Sequence, residues 1–167
     1  MDRLQRNPER FEQWLAHLQE TLPEFNSFST VLREEDRHRY LTARTTEAVA
    51  LPSWVLSDGT LRMLALTLLA YVEDLSGSYL IEEPENGIHP KAMESVYQSL
   101  CSVYNAQVLC ATHSPVLLSL AEPAQLLCFA KTADGESDVI QGDQHPVLRG
   151  WQRTIDLETL FASGVLG

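Results

Sequence analysis

The sequence predicts an α/β fold: a mostly parallel sheet with flanking helices, plus an antiparallel β-hairpin region over about residues 25–51. Three observations carry this reading. Tyr79, Leu80 and Ile81 lead directly into Glu82 and Glu83, and so short an apolar run with polar bounds reads as a fully buried strand. Behind His89-Pro90, the residues Met93, Val96, Tyr97, Leu100 and Val103 recur at helical spacing, which predicts a helix from Pro90 to about Tyr104 with one face on the sheet. A second apolar run, Gln107–Ala111, follows it. Strand, helix, strand makes a parallel unit with a right-handed crossover.

The flanking elements follow in order. Asn7-Pro8-Glu9 is a helix start, with Asn7 as cap and Pro8 at the first helical position. Phe11, Trp14, Leu15, Leu18 and Leu22 then form an apolar stripe that ends at Pro23. From Phe25 the period changes to that of strands. Ser27–Arg33 and His38–Arg44 flank the polar turn Glu34-Glu35-Asp36-Arg37 as a hairpin, and a further short strand is expected at Glu47–Leu51. The charges from Arg33 to Arg39 solvate the hairpin tip; the other reading brings Arg33, Arg37 and Arg39 to a phosphate backbone. Leu56-Ser57-Asp58-Gly59 then precedes a long apolar helix, Thr60–Leu75, buried nearly all round. Such a start is commonly only a cap, but it also presents free N–H groups and a positive dipole end to an anion. After the second strand, Ser114 caps a short helix from Pro115 to Leu120. Gln125–Lys131 and Ser137–Gln141 around Asp134-Gly135 make a terminal hairpin. A last short helix covers Asp156–Ala162, before an apolar Gly-Val-Leu-Gly end.

Composition bounds the class. The 167 residues, 44% hydrophobic and 21% charged, suit a single domain, residues 1–167, with its own core. The longest apolar stretch, Leu61–Val72, is interrupted by Arg62 and Thr67 and falls short of the ~18 residues of a membrane span. The first ten residues have no apolar h-region, so the expected location is cytoplasmic, with no membrane partner. Cys101, Cys110 and Cys128 show no C-x-x-C spacing, and buried reduced thiols are expected. The net charge of −11 is uneven, since residues 63–167 carry thirteen Asp/Glu against four Lys/Arg. That balance disfavours whole-surface attraction to nucleic acid and fits an acidic pocket that takes a divalent cation, or simply a solubilising surface.

The topology brings strand-end residues Glu82, Glu83 and His113 to one sheet edge, where open α/β sheets place their ligands. A histidine after a strand is usually structural. Two carboxylates beside it, however, add a cation side to a proton-transfer side.

With these residues in hand, the chain resembles the C-terminal half of the ABC-type ATPase head of SMC, RecF and OLD-like AAA family proteins, most closely the OLD-like branch associated with phage defence. Leu56-Ser57-Asp58-Gly59-Thr60 resembles the signature loop and Tyr79–Glu85 the Walker B motif. Asn86–Pro90 resembles the D-loop, and Ala111–Pro115 the switch-histidine region. The four matches stand in the family's order. The resemblance implies a P-loop NTPase fold acting on ATP with Mg2+. Glu82 would hold the metal, through water, and Glu83 would orient and polarise the attacking water. His113 would contact the γ-phosphate, and Ser57, Asp58, Gly59 and Thr60 would close over a nucleotide held by a partner subunit. Glu82 replaces the commoner aspartate, as is familiar in the OLD-like branch.

One motif is absent. The only lysines are Lys91 and Lys131, and neither stands in a G-x-x-x-x-G-K-[ST] loop. Without that loop, the chain as it stands has no phosphate cradle in cis. Three readings follow. The first is an ATPase subunit or fragment completed by a P-loop-bearing lobe or chain, reaching nucleic acid only through a larger complex. The second is a non-catalytic scaffold that binds partner proteins. The third is a metal-dependent nuclease built on Glu82, Glu83, Glu85 and His89. A half-head also leaves unpaired strand edges, which invite another chain, so hetero- or homo-oligomeric association is expected.

Overall fold

A computed structural model describes residues 1–149 and 157–164, which fall into two compact units, Met1–Thr112 and His113–Gly167. The α/β class is borne out: a parallel strand pair and antiparallel sheets, with helices between them.

In the first unit, a short helix α1 (Asp2–Gln5) precedes α2 (Pro8–Gln19). The side chain of Asn7 accepts from the Arg10 N–H and Pro8 sits in the first turn, so the start read from Asn-Pro-Glu is the one formed. An antiparallel sheet follows in the order β1 (Phe25–Leu32), β2 (Arg39–Thr45), β3 (Ala50–Pro52). Phe28 opposes Ala43, and both face the core at 2% and 0% exposure. At the hairpin tip Arg33 is spent locally, because its guanidinium donates to Asp36. That bond, with a second from His38, holds the exposed Asp36 carboxyl down to about 2.

Helix α3 (Asp58–Leu68) begins two residues earlier than expected and ends seven earlier. Past Leu68 the backbone tightens: the amides of Leu69, Ala70 and Tyr71 bond three residues back, to Leu66, Thr67 and Leu68. Strand β4 (Ser78–Glu82) pairs in parallel with β5 (Gln107–Ala111), Leu80 against Leu109 and Glu82 against Ala111. Between them, a single turn at Pro90–Ala92 runs into α4 (Met93–Cys101), which buries Met93, Val96, Ser99 and Leu100. This is the expected strand, helix, strand unit.

The burial of its strands differs from expectation. Leu80 is 78% exposed and Leu109 37%, while Tyr79, Ile81, Val108 and Cys110 are half-buried. A two-stranded sheet has one covered face and one open face, so its residues alternate rather than all being buried. The cysteines also depart from the buried expectation. None is in a disulfide, but only Cys128 is buried, whereas Cys110 is intermediate and Cys101 exposed. Partial burial pushes the Cys110 thiol up.

The second unit holds α5 (Pro115–Leu120), capped by Ser114, then the antiparallel pair β6 (Leu127–Lys131) and β7 (Ser137–Gln141), and α6 (Leu157–Ala162). Leu148, Leu157 and Leu160 form its core, with Leu126 and Phe161 packed against them. The expected last helix is therefore present from Leu157; its first residue, Asp156, and most of the apolar end lie outside the described residues.

The core of the first unit centres on Trp14, fully buried, with ring centroids 5.6 Å from Phe28 and 5.9 Å from Phe11. Its indole N–H donates to Thr67 Oγ1 at 3.0 Å, and that hydroxyl donates in turn to the Met63 carbonyl at 2.8 Å. One polar pair thus joins α2 to α3 inside the core. Trp14→Ala removes the ring and leaves a buried hydroxyl short of a partner, so it is expected to cost about 3–5 kcal/mol. Urea unfolding followed by far-UV circular dichroism measures this; a loss under about 1 kcal/mol would refute the central role of the ring.

Candidate functional site

The site grows from two backbone turns that meet. The first is the start of α3. Ser57 has extended backbone, and its Oγ accepts from the Thr60 N–H at 3.1 Å while lying 2.8 Å from Thr60 Oγ1. Ser57 is thus an N-cap, and both Ser57 and Asp58 are exposed. Asp58, in the first turn, places a carboxylate at the positive end of the helix dipole. That stabilises the helix and at the same time opposes a second anion there.

The second turn follows β4. Glu82 ends the strand, exposed, in register with Ala111. Glu83 is also exposed and adopts φ +45°, a left-handed backbone rare outside glycine. It also precedes Pro84, which ordinarily drives the preceding residue to extended backbone. Such a conformation costs about 1–3 kcal/mol and persists only where its surroundings over-determine it. Here they do. The Glu83 N–H donates to the Ala111 carbonyl at 2.8 Å, the Glu83 carbonyl accepts from the Asn86 N–H at 3.0 Å, and Pro84 is fully buried. The Glu83 side chain receives one long contact, Asn86 Nδ2 to Oε2 at 3.5 Å.

The turns touch through two glycines. A Cβ placed on Gly59 would lie 2.0 Å from the Gly87 carbonyl oxygen, and Gly87 itself has φ +74°. Only glycine allows this approach at position 59, and the left-handed backbone at position 87 favours glycine. The signature-like loop and the turn after Glu83 are therefore held together, a contact that the sequence reading did not anticipate. A third group joins them: Arg62, one turn into α3, donates from one guanidinium nitrogen to the carbonyls of Glu83 and Asn86, both at 3.1 Å.

Two contacts escaped the sequence reading, those of Arg62 and of Glu85. Arg62 was seen only as an interruption of an apolar helix, although it is the one cation between Arg44 and Lys91, a signal that a nearby polar turn needs a donor. Glu85, one residue past Pro84, accepts from Thr112 Oγ1 at 2.7 Å, and its Oε2 is buried without a partner among the described residues. This bond ties the turn to the end of β5. His89 is occupied as well, its Nδ1 accepting from the Lys91 N–H at 3.2 Å to cap the short Pro90–Ala92 turn. His113 opens the second unit, exposed, with its ring 6.2 Å from that of Phe161.

The donor set bears on a metal. Among the described residues no three or more His, Cys, Asp or Glu side chains gather into a cage. Mg2+ seldom uses one; it is held by one or two carboxylates together with phosphate oxygens and waters. Adjacent exposed Glu82 and Glu83 fit a cation that arrives with its phosphate, not a resident ion.

Three comparisons bear on the chain. The sequence profile of a family described as "AAA domain, putative AbiEii toxin, Type IV TA system" matches residues 6–119. A chain solved in work on "ATP-driven dimerization and DNA stimulated activation of SMC ATPases" superposes with a TM-score of 0.54 at 16% identity, covering 79% of this chain and 84% of that one. At that identity the likeness is one of fold, and it agrees with a P-loop NTPase-like architecture. No curated protein matches the chain.

Because the Gly59 approach leaves no room for a methyl group, Gly59→Ala must force α3 and the Gly87 turn apart. A cost of about 1–3 kcal/mol is expected, as for overpacking. Gly77→Ala, with nothing within 4 Å, bears only the strain of its left-handed backbone, roughly 1 kcal/mol. Paired denaturant titrations of the two variants check this ranking, and a Gly59→Ala protein as stable as wild type would contradict the geometry.

Proposed function

We propose, from the premise that the chain belongs to the AAA domain family described as "AAA domain, putative AbiEii toxin, Type IV TA system", that it is the signature and Walker B part of a composite Mg2+-ATP hydrolysis site. The observation that carries this is the joining of the Ser57–Thr60 loop to the Glu82–Asn86 turn through Gly59 and Gly87. A helix start suited to phosphate and a pair of exposed carboxylates are thereby fixed to each other by backbone contact.

Bound Mg2+-ATP would supply the electrophilic γ-phosphate and the cation that neutralises its charge. The chain's own residues do the rest, which in phosphoryl transfer is positioning and charge stabilisation. Glu82 would hold the metal, through water. Glu83 accepts a hydrogen bond from the attacking water and orients it in line. Ser57 and Thr60, with the amides of Asp58 and Gly59, would close over the γ-phosphate of a nucleotide on a partner; the contact of His113 with a γ-phosphate rests on the sequence resemblance. Asp58 opposes that anion, so the loop closes well only on a phosphate whose charge the cation has already offset.

The phosphate cradle comes from a P-loop-bearing lobe or chain, because no lysine of this sequence stands in a G-x-x-x-x-G-K-[ST] loop. The exposed Leu80 face of the two-stranded parallel sheet supports such a completion, since parallel sheets are ordinarily covered on both faces. Among the described residues, no helix is long and apolar enough to cross a membrane. The OLD-like branch, the link to phage defence, and nucleic acid reached through a larger complex rest on the sequence resemblance.

Addition of the P-loop-bearing partner is expected to yield Mg2+-dependent ATP hydrolysis, which Glu83→Gln lowers by at least about 100-fold while nucleotide binding is kept. Full activity in the Glu83→Gln complex would sink the assignment. Analytical ultracentrifugation provides a second check: the chain is expected to sediment as an oligomer or with its partner, and a stable monomer that refuses the partner would contradict the composite site.

A further inference from the structure

We infer that Arg62 is the positioning residue of the acidic turn. It holds Glu83 in its left-handed backbone and ties the placement of that carboxylate to the signature-like loop. The inference rests on the composite-site reading for what Glu83 does, but not for how Glu83 is held.

The argument starts from the mismatch at Glu83. A glutamate before proline does not choose φ +45° unaided. Its N–H is fixed by Ala111 and the Glu85 carboxylate by Thr112, which tie the turn to β5, and its carbonyl accepts from the Asn86 N–H within the turn; none of these bonds ties the turn to α3. Arg62 supplies the side-chain tie to α3. One Nη1 carries two hydrogens, and they go to the carbonyls at the two ends of the turn, Glu83 and Asn86, each at 3.1 Å. Because both acceptors are backbone, the guanidinium fixes the path of the chain and leaves the Glu83 carboxylate exposed for other work. Charged donors make the stronger hydrogen bonds.

The position of Arg62 gives this clasp its direction. It lies five residues after Ser57 and three after Gly59, in the first turns of the helix whose start is the signature-like loop. A displacement of that loop moves the guanidinium and, with it, both carbonyls; the Gly59–Gly87 approach carries the same displacement at the other side of the turn. Closure of the loop on a nucleotide at one site is thereby felt at the carboxylate that orients water.

Hydrogen exchange on the 167-residue chain, without nucleotide, tests the clasp. In Arg62→Ala, the amides of Asn86 and Ile88, which bond within the turn to Glu83 and Glu85, are expected to exchange about tenfold faster, while amides in α2 and α4 stay within about twofold. The three-bond amide–α-proton coupling of Glu83, which reports φ, is expected to leave its left-handed value. Arg62→Lys, with its shorter reach but three donors, should restore part of the protection. A merely structural role would instead speed exchange throughout the unit and leave the Glu83 coupling unchanged in the folded molecules. In the partner-completed complex, kcat is expected to fall at least about tenfold in Arg62→Ala with KM for Mg2+-ATP within about twofold. Wild-type exchange at Asn86 and Ile88 in Arg62→Ala, or an unaltered kcat, overturns the inference. Should the wild-type complex hydrolyse no ATP, the composite site falls, and the exchange and coupling data alone decide the clasp.

Discussion

The contact between the backbones of Gly59 and Gly87 constrains the first unit more than any side-chain pair does. Since a Cβ on position 59 would lie 2.0 Å from the Gly87 oxygen, the two turns can approach only as bare peptide. The candidate site residues of the unit lie on one of those turns or the other. Ser57, Asp58 and Thr60 belong to the start of α3, while Glu82, Glu83 and Glu85 belong to the end of β4 and the turn beyond it. Hydrophobic packing, with Met63 and Leu64 of α3 and Met93 and Val96 of α4 all buried, brings the helices together. The glycines set how close their leading turns come.

Strain and satisfaction are balanced within a few residues of that contact. Glu83 is held against its own preference by three hydrogen bonds to its backbone, two of them at its carbonyl, one of these from the Arg62 side chain. Glu85 has one carboxylate oxygen bonded to Thr112 and the other buried without a partner among the described residues. A strained residue beside a half-satisfied carboxylate stabilises nothing, and such costs persist where geometry has a use. The polar Trp14–Thr67 pair in the core is the opposite case: fully satisfied, it fixes α2 on α3 and so the platform from which the first turn projects.

The parallel pair of strands shows what the unit leaves unfinished. Its half-buried face follows the alternation of Tyr79, Ile81, Val108 and Cys110, and its other face shows Leu80 at 78% exposure. The apolar run that read as a fully buried strand is the sequence of a strand meant for two covers, of which the described structure shows one. The exposed carboxylates of Glu82 and Glu83 stand at the end of the same strand pair.

Local chemistry was legible in the sequence wherever it acts over a few residues. The Asn7 cap with Pro8, the Ser114 cap with Pro115, the hairpin of β1 and β2, and the strand–helix–strand order from Ser78 to Ala111 all follow from capping, periodicity and turn residues. The motif residues Ser57–Thr60, Glu82 and Glu83 were also legible, as residue types in order. What lay beyond sequence reasoning was set by contacts between distant segments. The exposure of Leu80 depends on how many strands and covers the sheet has. The early end of α3 depends on a switch to three-residue hydrogen bonds that no apolar pattern marks. Arg62 reads as an interruption of a helix until the carbonyls of Glu83 and Asn86, 21 and 24 residues away, are placed against it. The sequence by itself determined which groups this protein can use, because charge, capping and periodicity are written locally. Only the tertiary structure decided that Gly59 and Gly87 touch and that one arginine holds the glutamate in place, because backbone approach depends on the packing of whole helices.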